Sequence, residues 1–150
     1  MKPGRPYLDK THPEMYKTLN GLSRQAKDAA ISAGLDTALI ELIKLRCSQI
    51  NACVTCLSLH VPEARRVGIS ETKINVLPAW RQADVFSPRE RACLQIAEAV
   101  TITDPNRDWD AEFAAYGAAL SDQEIAAAEW IAIVINSYNR LSLLSAHPAL

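Results

Sequence analysis

Cys53 and Cys56 stand three residues apart, and His60 follows Cys56 by four. If these positions share a helix, a turn of about 100° per residue places both thiols and the imidazole within an arc of about 60°. One helix face then presents two sulfurs and a ring nitrogen together. Thiol redox chemistry asks for such a set. The nucleophile must be a thiolate, and a helix N-terminus lowers a cysteine's pKa because its unpaired N–H groups stabilise negative charge. A base must take the thiol proton, and His60 lies one turn from Cys56. A second thiol must capture the oxidised sulfur before it oxidises further, and the other member of the pair is placed to do so. Glu41, on the preceding helix, could orient His60 and hold its proton.

Other chemistries fit the same residues. A Cys-x2-Cys pair also opens zinc sites and the redox motifs of sheet-containing folds. No βαβ pattern surrounds this pair, so a thioredoxin-like fold is not expected. Cys53, Cys56, His60 and Glu41 together offer two thiolates, an imidazole and a carboxylate, a sensible zinc set. Most structural zinc sites draw on two ligand pairs, and the chain has no second Cys-x2-Cys or His-x3-His. Free cysteines are also common as small core residues. That is the expectation for Cys47 and Cys93, although Cys47 is close enough in sequence to serve as a third redox thiol. His12, just before Pro13, reads as a helix-start residue, and His147 as part of a frayed tail. Trp80, Trp109 and Trp130 read as packing residues, with Trp80 the best placed to line a pocket. Asn139-Arg140 interrupts an apolar helix, where a buried Arg would need an acidic partner.

These residues must be positioned by helices. Leu19, Leu22, Ala26 and Ala30 recur at spacings of three and four within a stretch from about His12 to Ala33, which Gly34 stops. A second helix starts near Asp36 and carries Ile40, Ile43 and Cys47 on one face. Asn51 reads as the N-cap of a third helix holding Cys53, Cys56, His60 and Arg65-Arg66, ending at Gly68. Pro62 within it predicts a kink or a break. A fourth helix opens at Ser70 and closes near Trp80 to Ala83. Ser87-Pro88-Arg89-Glu90 and Ser121-Asp122-Gln123-Glu124 are capping-box starts. The first launches a helix buried through Leu94, Ala97 and Val100. A turn-rich loop from Thr103 to Asp108 then leads to a short Ala-rich helix ending near Ala119. The second capping box launches a long final helix, apolar nearly all round from Trp130 to Ile135. That run predicts burial in the centre or at a subunit contact. No stretch alternates apolar and polar residues over strand length, so the fold class expected is all-α, in one domain over residues 1–150.

The bulk properties narrow the function. The chain has 16 basic and 17 acidic residues and no run of like charges, which argues against nucleic acid as the main partner. The polar start Met1-Lys2-Pro3-Gly4-Arg5-Pro6 has no apolar stretch behind it, and Trp130–Ile135 is too short to span a bilayer. A cytoplasmic protein with no membrane partner is expected. In that reducing compartment a close Cys pair points to catalysis or metal binding rather than to a structural staple.

The pattern E-x11-C-x2-C-x3-H, formed by Glu41, Cys53, Cys56 and His60, resembles the signature of the carboxymuconolactone decarboxylase and alkylhydroperoxidase D (AhpD)-like superfamily. Trp80-Arg81, Phe86–Ala92, Ile135-Asn136 and Asn139-Arg140-Leu141 are similar to its peroxidase-related branch, and the likeness runs from about Met15 to Leu144. The resemblance implies an all-helical bundle assembled as a homo-oligomer, trimer or hexamer. It implies a hydroperoxide substrate reduced through a Cys53–Cys56 disulfide cycle, with no metal and no organic cofactor. Cys56 then matches the attacking thiol, Cys53 the resolving one, and Glu41 and His60 the proton relay. An external dithiol, of the dihydrolipoyl type in the best-known members, would supply electrons. Two departures stand out: Cys47 occupies a position where relatives often have a small non-thiol residue, and Thr55 one where some carry histidine. The decarboxylase branch lacks the Cys pair, so its presence here counts against that activity. Two further readings stay open, a protein disulfide reductase or redox adaptor and a zinc-holding helical scaffold.

Overall fold

Side-chain caps decide where most of the helices begin. In the computed structural model, which describes residues 4–150, Asp36, Ser70, Ser87, Asp108 and Ser121 each accept a hydrogen bond from a first-turn N–H. The first three residues of the polar N-terminal stretch lie outside the described residues. Both capping boxes are complete, with Glu90 and Glu124 reaching back to the N–H of Ser87 and Ser121. The elements are α1 (Leu8–Thr11), α2 (Pro13–Ala33), α3 (Thr37–Ile50), α4 (Val54–Arg66), α5 (Glu71–Val76), a 3-10 turn (Leu77–Ala79), α6 (Pro88–Thr101), α7 (Trp109–Gly117) and α8 (Asp122–Ser145). Among the described residues all regular structure is helical, and no helix is long and apolar enough to cross a membrane.

Helix α3 sits at the centre, packed against α4, α6 and α8, while α2 lies along α8. Two hydrophobic clusters meet on it. Ile40, Ile43 and Cys47 join Ala30, Ile96, Ala128 and Ile131 on one side. Leu42 and Leu45 join Ala64, Leu77, Trp80 and Leu94 on the other. Apolar residues on opposite faces explain why α3 is buried nearly throughout. Each fully buried Leu or Ile contributes about 1.5–3 kcal/mol relative to exposure, so this helix anchors everything attached to it.

The expected boundaries hold with instructive exceptions. The first periodic stretch, expected from about His12 to Ala33, is α2, and a short helix that was not expected, α1, precedes it across His12. Gly34 ends α2 in the left-handed region at φ 115°, where a Cβ would also meet the Glu124 carboxylate at 2.8 Å. Pro62 neither kinks α4 into pieces nor ends it. It lies on the exposed face, where water can take the Ser58 carbonyl it leaves unpaired. The long α8 buries Ile131, Ala132, Val134 and Ile135, yet Trp130 is 51% and Ile133 44% exposed, so within the chain it is covered on one side only.

Candidate active site

The thiol pair is presented by the turn between α3 and α4. Asn51 does not cap α4, as its residue type suggested; it is the C-cap of α3. Ala52 follows in the left-handed region at φ 51°. The N–H of Ala52 bonds the Gln49 carbonyl and that of Cys53 the Ser48 carbonyl, both at 3.1 Å. This is the Schellman pattern with alanine where glycine is usual. The chain thereby reverses within two residues, and Cys53 itself becomes the N-cap of α4. Its sulfur accepts from the Cys56 N–H at 3.4 Å. The two cysteines are joined as a disulfide with Cα atoms 5.3 Å apart, and both are buried.

A polar network beneath the turn fixes it. Asn51 Nδ2 donates to Asn136 Oδ1 at 2.8 Å and Asn139 Oδ1 at 2.9 Å. Asn139 Nδ2 donates to Ser48 Oγ, and Asn136 Nδ2 to Thr101 Oγ1, each at 3.0 Å. The Ser48 hydroxyl donates in turn to the Lys44 carbonyl. The turn is thus tied to α3, α6 and α8 at once. Asn136 and Asn139 are buried, and satisfied amides of this kind hold one geometry because any alternative leaves a polar group unpaired.

Glu41 on α3 and His60 on α4 meet as the spacing suggested. His60 Nδ1 lies 2.9 Å from Glu41 Oε2. With a carboxylate as partner, Nδ1 carries the hydrogen, and neutral His60 keeps its lone pair on Nε2. Lys44, one turn along α3, places Nζ 3.7 Å from Glu41 Oε1. Sequence reasoning passed over this lysine, although i,i+3 spacing from Glu41 was the signal available. Cys56, His60 and Lys44 line a cavity of about 500 Å³ whose other walls are mainly apolar. Cys53 faces a separate, smaller recess of about 230 Å³ beside Ser142, Leu143 and Ala146. The arrangement can deprotonate a thiol at the wall of an apolar chamber and exchange it with a neighbouring sulfur.

The remaining candidates fall elsewhere. Cys47 and Cys93 are core residues: burial pushes the Cys47 thiol up to about 11 and the Cys93 thiol up to about 12. Trp80 lines no part of the chamber; it is buried, donates Nε1 to Glu98 at 2.8 Å, and is covered by the Arg81 and Arg91 guanidinium groups. Arg140 is exposed rather than buried and, among the described residues, pairs with no acidic side chain, donating instead to Asn136. Arg65 and Arg66 pair with Glu71 and Glu63 at the surface. His147 was expected in a frayed tail, yet its ring packs edge-on against Tyr7 at 4.5 Å and its Nε2 lies 3.1 Å from Asp9. Thr55, between the cysteines, donates to the carbonyls of His147 and Pro148 at 2.9 and 2.8 Å. No local pattern could have announced a contact across more than ninety residues. Among the described residues no three His, Cys, Asp or Glu side chains converge as a metal-holding group.

Known proteins share this architecture. A crystal structure of ATU0492, an Agrobacterium tumefaciens protein of unknown function described as a candidate antioxidant defence protein AhpD, superposes with a TM-score of 0.85 at 34% identity, covering 97% of each chain. The apo debrominase Bmp8 superposes at 0.77 over 94% of this chain and 74% of its own, and at 18% identity the likeness is one of fold. The uncharacterized protein YdfG of Bacillus subtilis is 31% identical over 131 residues, which is 87% of this chain and 86% of YdfG. The sequence profile of the carboxymuconolactone decarboxylase family matches residues 13–99, a span that includes the whole Glu41–His60 motif and more than half of the chain. The chain therefore belongs to the carboxymuconolactone decarboxylase family, within the AhpD-like superfamily.

Proposed function

We propose that the protein is a thiol-dependent hydroperoxide reductase, a single-domain antioxidant enzyme cycling through the Cys53–Cys56 disulfide. The observation that carries this reading is that Cys56 and a carboxylate-oriented His60 share the wall of one apolar chamber, while Cys53 sits within bonding distance on the other side. His60 takes the Cys56 proton, and the thiolate attacks the hydroxyl oxygen of the hydroperoxide. The O–O bond breaks, Cys56 becomes a sulfenic acid, and the departing alkoxide takes the proton from His60 and leaves as the alcohol. The Cys53 thiol then attacks the Cys56 sulfur, the S–S bond forms, and the hydroxyl leaves as water. An external dithiol, such as a dihydrolipoyl-type carrier, reduces the disulfide and is itself oxidised. Glu41 orients the imidazole and balances its transient charge. Both buried sulfurs sit at the start of α4, where the helix N–H groups favour a thiolate.

The reading includes cytoplasmic action, where an idle disulfide would be kept reduced, and assembly into a trimer or hexamer. The exposed Trp130 and Ile133 on α8 support self-association, as large apolar side chains on one helix face are characteristic of subunit contacts.

The test is peptide mapping of reduced, metal-free protein before and after one equivalent of an organic hydroperoxide. The expected result is loss of two protons and a Cys53–Cys56 crosslink. Thiols that stay free after treatment would sink the reading.

A further inference from the structure

The chamber on which Cys56 opens is built from both ends of the chain. Tyr7, at the start of α1, and His147, Pro148 and Leu150, beyond α8, line it together with Tyr138 and Leu59. These terminal segments are fastened to each other. Leu8 N–H donates to Ser145 Oγ at 3.0 Å, and His147 packs on Tyr7 and meets Asp9. They are also fastened to the thiol-bearing helix. The Thr55 hydroxyl serves the His147 and Pro148 carbonyls, and Leu150 N–H donates to Ser58 Oγ at 3.0 Å. The tail therefore crosses the first turn of α4, over Thr55, one of the two residues between the cysteines.

Peroxide chemistry by itself has no need of such a room. The cavity holds about 500 Å³, within the range of pockets that enclose drug-sized organic molecules. A water molecule occupies roughly 30 Å³ of liquid, and hydrogen peroxide is only slightly larger, so it would leave most of the chamber unfilled. The larger part of its exposed lining is aromatic and aliphatic, with Asp9, Lys10 and Lys44 contributing the charged part, and burial against the apolar part favours a ligand with a large apolar body. Binding energy from a part of the substrate remote from the reacting oxygen accelerates the reaction when it holds that oxygen against the thiolate.

We infer that this chamber is a specificity pocket for the organic body of a bulky apolar hydroperoxide, aromatic or branched alkyl, and that the tail His147–Leu150, latched by Thr55, is the wall that confers preference over hydrogen peroxide. The inference rests on the peroxidase reading for its substrate and on the cavity and latch for its selectivity. Thr55 acts here as a positioning residue: it holds the tail in place and takes no part in the bond changes.

Two variants test it, truncation after Ala146 and the nearly isosteric Thr55→Val, which cuts the latch without removing a wall. Second-order rates of oxidation of the reduced protein by cumene hydroperoxide and by hydrogen peroxide are compared, alongside calorimetric binding of 2-phenyl-2-propanol, the product alcohol, to the oxidised protein. The expected wild-type rate ratio favours cumene hydroperoxide by about tenfold or more, the scale on which an apolar pocket discriminates. Truncation brings the ratio close to one and abolishes detectable binding of the alcohol. Thr55→Val shifts both in the same direction by a smaller factor. A ratio and an affinity unchanged in both variants would overturn the inference. Tail-dependent binding of the alcohol without turnover of either peroxide would instead remove the peroxidase reading and keep the chamber as an apolar ligand site.

Discussion

The four cysteines divide into two pairs that share residue type and burial and differ in their surroundings. Cys47 and Cys93 lie inside the packed cluster of α2, α3, α6 and α8, where burial raises both thiols far above the physiological range. Cys53 and Cys56 are also buried, yet they sit where a helix begins, beside an imidazole and against cavities. Burial alone therefore does not make a thiol inert. What separates the pairs is the direction of the nearby dipoles and the presence of a space into which a reactant can come. Desolvation without a compensating N–H or base leaves a small hydrophobe, and with them it leaves a nucleophile.

The sharpest way to break this comparison is to remove one thiol from each environment. Cys56→Ser is expected to lower hydroperoxide turnover by on the order of 10³-fold or more, as loss of a nucleophile does. Cys47→Ser and Cys93→Ser are expected to leave the rate near that of wild type while lowering the melting temperature, because each puts a hydroxyl into an apolar core. Steady-state peroxide consumption and thermal unfolding on the same samples decide it. Turnover that falls equally in all three variants would erase the distinction.

Accessibility to alkylation sharpens it further. At pH 8 the reduced, folded protein is expected to label at Cys53 and Cys56 within minutes. Cys47 and Cys93 are expected to label only after unfolding, since almost none of either is thiolate when the thiol pKa is about 11 or about 12. Mass mapping after a short iodoacetamide pulse, with and without urea, reads the difference. Labelling of Cys47 in the folded state would restore its reading as a third redox thiol.

The motif from Glu41 to His60 was legible because its members lie on two consecutive helices, where spacing converts directly into geometry. The capping boxes at Ser87 and Ser121 were legible for the same reason: a cap is written within four residues. Asn51 was misread because asparagine suits both ends of a helix, and only the left-handed Ala52 decides which end it occupies here. Trp80 was read as a packing residue, and as the tryptophan best placed to line a pocket because its place near a turn is visible in sequence. Glu98, which claims its indole N–H, lies eighteen residues away on another helix. The tail over Thr55 had no local trace at all. Contacts between chain ends depend on how every intervening helix packs, and that is tertiary information.

Carboxylates repeat the comparison on a smaller scale. Glu41 lies behind the chamber wall and holds two residues that line it, His60 and Lys44. Glu98 is saturated, receiving hydrogen bonds from Arg46, Arg81 and the Trp80 indole. Burial opposes ionisation of Glu98, but those three donors outweigh it and hold the carboxyl below its ordinary range. A depressed carboxyl contributes stability that is fully present above its unfolded-state pKa and is lost as pH falls through the folded-state value. Glu98→Gln is therefore expected to cost about 1–3 kcal/mol at pH 7. The gap to wild type should shrink once pH drops below the ordinary value of 4.5. Glu41→Gln is expected to do the reverse, lowering turnover by about 10²-fold with a smaller loss of stability, since its role is to orient a base. Urea unfolding across pH, paired with rates, separates a carboxylate that builds from one that works. Equal effects of the two substitutions on both readouts would dissolve the contrast.

The smallest effect tests whether the turn itself stores strain for the site. Ala52 holds a left-handed backbone at φ 51°, a conformation that costs an L-residue about 1–2 kcal/mol relative to glycine. Glycine there relieves the cost but enlarges the freedom of the unfolded chain by roughly 0.5–1 kcal/mol. The two nearly offset, so Ala52→Gly is expected to raise stability by at most about 1 kcal/mol. The Asn51–Asn136–Asn139 network holds the turn whichever residue occupies position 52. Turnover should therefore follow wild type, and the Cys53–Cys56 reduction potential should not move. A shifted potential with unchanged stability would mean that the alanine, rather than the asparagines, sets how the two sulfurs are held against each other.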